Sequence, residues 1–121
     1  MQLQAFEWYT DSDGGGKHWN RIAELAPELS SFGITAMWLP RTLSVVHLFM
    51  FQTYRGFSAP TKADSLPSVG YDIYDLYDLG EFNRNGLLRT HWGTKDELIA
   101  AVKIAQDHGI ITYVDAVLNH R

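Results

Sequence analysis

Two apolar runs, 34–39 and 110–118, each begin on the residue after a glycine, and each glycine follows residues with helical apolar spacing. Glycine ends a helix there at little steric cost. A short apolar run after such a stop reads as a strand buried on both faces. Strands that alternate with helices pair in parallel through right-handed crossovers. The order along the chain is strand, helix, strand, long connection, helix, strand.

The individual elements follow from local chemistry. Residues 3–9 are aromatic-rich and strand-like, and 11–16 (DSDGGG) form a loop by composition. Trp19, Ile22, Ala23, Ala26 and Leu29 recur at helical spacing. Proline is costly inside a helix and suits a first turn. Pro27 therefore predicts a short helical turn, a break, and a second piece from Pro27 to about Phe32, stopped by Gly33. The run 34–39 is closed by Pro40. A second helix is expected near 95–108, with Thr94 and Glu97 at capping-box spacing. Its apolar stripe is Leu98, Ala101, Val102 and Ala105, and Gly109 ends it. The segment 41–68 stands apart: 43–51 is apolar without a clear period, and 53–67 is polar with prolines. A structureless connection of this length is uncommon in a compact domain. It is read as an atypical insert, either a functional loop or a stretch that is not authentic protein sequence, such as a retained intron or a misjoined exon.

Composition excludes several functions. The 121 residues can bury one small core. A net charge of −4 and a pI near 5.6 argue against a nucleic-acid partner. Without cysteine there are no disulfides or thiolate metal sites. The stretch 43–51, interrupted by His47, is too short to span a bilayer, so no membrane partner is expected. No basic-then-apolar leader opens the chain, which favours a cytoplasmic location and leaves secretion open. His18, His47, His91 and His108 show no metal-ligand spacing. The glycines at 14–16 lack the pattern of a phosphate loop.

Residues 115–121 (DAVLNHR) carry the most chemistry. An apolar run holds one acid, Asp115, and ends in an amide, an imidazole and a guanidinium. A buried carboxylate is costly unless paired. Polar groups at the C-terminal end of a strand suit an α/β barrel, whose active site lies at that face. Asp115 reads equally as a structural carboxylate bonded to backbone or to a side chain of a neighbouring strand. Asn119 offers a carbonyl oxygen suited to Ca²⁺, or is a turn residue. His120 can donate to a substrate hydroxyl at neutral pH, or is an ordinary loop histidine. In 70–82 (GYDIYDLYDLGEF), Asp72, Asp75 and Asp78 alternate with Tyr71, Tyr74 and Tyr77. Tyrosine faces can stack on sugar rings while acids bond hydroxyls. A solvated loop with its aromatics tucked onto the core is the plainer reading. Gln4, Glu7, Trp8 and Tyr9 fall at the end of the first strand, where some of them should face a barrel mouth.

Taken in order, these stretches resemble the alpha-amylase family of glycoside hydrolases, in its liquefying, bacterial-type form. Residues 4–9 (QAFEWY) are similar to the family's first barrel strand. Trp19 with 33–40 (GITAMWLP) resembles helix one and strand two. Residues 70–82 resemble the family's loop GYG-x-YDLYDLGEF, 92–98 (WGTKDEL) the start of helix two, and 115–120 the first conserved region, D-x-V-x-N-H. The resemblance covers nearly all the chain except 41–68. It implies that Asp115 organises the catalytic centre and that His120 bonds the sugar beside the scissile bond. It further implies that Tyr71 stacks on that sugar, that Asn119 ligates structural calcium, and that Gln4, Trp8 and Tyr9 line the cleft floor. Three local departures are plain: Asp72 stands where many relatives have glycine, Pro40-Arg41 replaces a common Pro-Pro, and the connection before Gly70 is much longer than the usual short loop.

The expected fold is therefore α/β, a partial (β/α)₈ barrel holding three strands and two helices. The function implied is retaining hydrolysis of α-1,4-glucans such as starch and glycogen. Retaining glycosidases need two carboxyl groups roughly 5–5.5 Å apart, and the resemblance puts these after strands four and five, so no residue here is assigned as nucleophile or acid/base. The chain alone is expected to be inactive, and unstable through its open edges and uncovered faces. The alternative is a non-catalytic truncated product or a sugar-binding barrel relative. An unrelated barrel enzyme using Asp115 and His120 as an acid/base pair would require five ordered motifs to coincide.

Overall fold

The computed structural model describes residues 1–7, 16–40, 82–83 and 88–114. Within them lie β1 (Gln2–Gln4), α1 (His18–Ser31), β2 (Ala36–Leu39), α2 (Lys95–Asp107) and β3 (Ile111–Val114). The strands form one parallel sheet in sequential order. Gln4, Trp38 and Tyr113 share one register row, and Leu3, Met37 and Thr112 the row before it.

Strand alternation sorts the sheet into two unlike faces. Met37 and Leu39 are fully buried in one core with Trp19, Ile22 and Ala26 of α1 and Leu98, Ala101, Val102 and Ala105 of α2. On the other face Trp38, Ile111 and Tyr113 remain exposed, at 37, 58 and 52%. Both helices thus cover the same side.

Helix α2 forms where local sequence places it. Thr94 Oγ1 accepts the Glu97 amide at 3.3 Å, and the Thr94 amide donates back to Glu97 Oε2 at 2.8 Å. Each helix ends in a Schellman motif. Gly33 and Gly109 adopt φ of +83° and +76°. Their amides donate to Ser30 and Gln106, and the next residues, Ile34 and Ile110, donate to Leu29 and Ala105. Both isoleucines are buried, so each helix stop is also the first core contact of the strand that follows.

Two local expectations are corrected. No break occurs at Pro27: α1 runs unbroken through it. Ala26 is fully buried and Leu29 packs on the same core, so the stripe anchors the helix on both sides of an exposed proline. That packing outweighs the roughly 3 kcal/mol cost of an interior proline. The first strand is also shorter than 3–9. Its ladder covers Gln2–Gln4, followed by one more bond from the Ala5 amide to the Trp38 carbonyl at 2.9 Å. The insert at 41–68 lies outside the described residues.

The edge at the strands' N-terminal ends is stitched by polar contacts. The Met1 ammonium donates to Thr35 Oγ1 at 3.0 Å, and Ser30 Oγ donates to the His108 carbonyl at 2.8 Å. At the opposite edge the strands finish and the helices begin.

Candidate functional site

Three strands end side by side at Gln4, Leu39 and Val114, and both helices begin beside them. Gln4 is the last residue of β1 and is exposed, with Nε2 donating to the Phe6 carbonyl at 3.0 Å. Trp8, Tyr9, Tyr71, Asp115, Asn119 and His120 lie outside the described residues. By chain position, 8–9 follow β1, 71 falls between β2 and α2, and 115–120 follow β3.

Beneath this edge is an aromatic cluster centred on Trp92, which is 1% exposed. His91 meets it edge-on at 4.6 Å between ring centroids, His18 at 5.2 Å and Phe6 at 6.3 Å. Phe6 also stands perpendicular to Trp38 at 5.7 Å. Such T-shaped pairs add about 0.5–1.5 kcal/mol beyond area burial. The cluster joins the ends of β1 and β2 to the starts of both helices. His18 and His91 are buried within it at 3 and 5%. The sequence assigned them nothing for want of metal-ligand spacing, and the contact of His18 with Trp92 joins positions too far apart for any local period to show.

Trp92 is presented by a tight turn. Thr90 Oγ1 donates to the Gly93 carbonyl at 2.8 Å and accepts the amides of Trp92 and Gly93. Gly93 has φ of +146°, and a Cβ there would lie 2.4 Å from Trp19 Cδ1. Only glycine lets this turn approach α1 so closely.

Next to the turn is a charged junction. Arg89 Nη2 donates to Glu97 Oε2 at 2.7 Å, to Oε1 at 2.9 Å, and to the Gly16 carbonyl at 2.6 Å. Asn20 Nδ2 adds a bond to Glu97 Oε1 at 3.0 Å. Burial pushes the Glu97 carboxyl up. Hydrogen bonds from Thr94, Arg89 and Asn20, with the Arg89 charge, outweigh that and hold it below the usual carboxylate range. A carboxylate so occupied suits a structural role. Sequence showed its capping half, not its reach to α1.

Among the described residues, no group of three or more His, Asp or Glu side chains is arranged to hold a metal ion. Among them no helix is long and apolar enough to cross a membrane.

No family model matches the sequence. Individual proteins do. The chain is 43% identical over 119 residues to a glucan 1,4-alpha-maltohexaosidase of Bacillus sp. (strain 707), covering 98% of this chain and 19% of that protein. It is 42% identical to an alpha-amylase of Geobacillus stearothermophilus, covering 98% of this chain and 18% of that one. It is 38% identical to the cytoplasmic alpha-amylase of Escherichia coli (strain K12), covering 98% and 20%. The chain thus spans about a fifth of the length of the curated relatives it matches.

Proposed function

From its membership of the alpha-amylase family, of which the chain forms an N-terminal part, we propose that the protein carrying it hydrolyses α-1,4-glucans with retention of configuration. One observation supports this above the others. Every segment expected to hold a substrate residue begins at the same edge of one parallel sheet, the edge where strands finish. In α/β barrels that edge is the catalytic face.

Barrel closure is part of the proposal. Sequential strand order with both helices on one face leaves Trp38, Ile111 and Tyr113 bare. Further strands would bury that face as a barrel interior.

In this reading Asp115 and His120 hold the sugar at the reacting bond. Tyr71 stacks on it, and Gln4, Trp8 and Tyr9 line the cleft floor. Nucleophile and acid/base come from outside this chain. The Asn119 carbonyl oxygen serves as one ligand of a structural calcium, a hard ion that takes oxygen donors. Cytoplasmic action is suggested by the name of the Escherichia coli relative. An Arabidopsis thaliana relative at 34% identity is named chloroplastic, so compartment varies among relatives.

The test is product analysis on soluble starch by the full-length protein. Mixed short maltooligosaccharides, released first as the α-anomer, are expected. Absence of products with calcium supplied would overturn the reading and leave the non-catalytic one. Chelation is expected to lower the unfolding temperature, and re-added calcium to restore it.

A further inference from the structure

We draw no further inference here: the strongest candidate, the exposed apolar patch of Trp38, Ile111 and Tyr113 on the open face of the sheet, carries nothing beyond the barrel closure already proposed, because nothing in the structure shows what covers it.

Discussion

The Glu97 carboxylate receives the Arg89 guanidinium at 2.7 Å while capping the helix from which it projects. The Arg89 side chain is 40% exposed, so solvent screens the charge pair. The hydrogen bonds carry more of the effect than the bare charge. Their pH dependence has a definite sign. The folded-state carboxyl sits below its usual value of 4.5, so its contribution is complete above that value. It is lost as pH falls through the folded value. Chemical unfolding midpoints are expected to drop on acidification below 4.5. Glu97→Gln should flatten that part of the curve and lower stability at neutral pH. An unchanged acid limb in Glu97→Gln would refute the assignment.

Gly93→Ala tests the close approach of the Trp92 turn to α1. The added carbon meets Trp19 Cδ1 at 2.4 Å and Glu97 Oε2 at 2.7 Å, at a φ that side chains rarely adopt. The expected loss is about 2–4 kcal/mol, from overpacking and strain together. A urea midpoint within experimental error of the parent would contradict it.

Gly33→Ala and Gly109→Ala separate strain from space. Both glycines have positive φ, and neither has an atom within 4 Å of an added Cβ. Each substitution should cost only the left-handed backbone penalty, roughly 1–2 kcal/mol. A loss at either site as large as that of Gly93→Ala would show that the Schellman ends carry more than a backbone preference.

Barrel closure can be read from the bare face. Leu39→Ala removes a fully buried side chain and should cost about 2–5 kcal/mol. Ile111 is 58% exposed among the residues described. If further strands cover it in the full-length protein, Ile111→Ala reaches the same range there. A cost within about 0.5 kcal/mol, typical of surface positions, would leave the face uncovered and the barrel unsupported.

How much of this was legible in sequence depends on where each determinant lies. Helix α2 was readable because Thr94, Glu97 and the stripe from Leu98 to Ala105 act within a few residues of one another. Both glycine stops were local for the same reason. Pro27 misled, because its penalty is local while the packing of Ala26 and Leu29 that overrides it is tertiary. The Arg89–Gly16 clasp joins positions 73 apart, and no spacing rule exposes it. Gln4 ends β1 only because the strand stops earlier than the composition of 3–9 implied. The other site residues were recognised from ordered motifs, a likeness of whole stretches; strand and helix periods give no chemical role to Asp115 or His120.

The most direct test of a glucan site at the strand-finishing edge is a nuclear magnetic resonance map of the full-length protein binding a non-hydrolysable, thio-linked maltoheptaose analogue. The account predicts the largest amide shifts at Gln4, Ala5, Phe6 and Leu39 and in the segments that follow β1 and β3. Thr35, Gly33 and Gly109, at the opposite edge, should stay still. Shifts centred on Thr35 and Gly109, or none at saturating sugar, would contradict it.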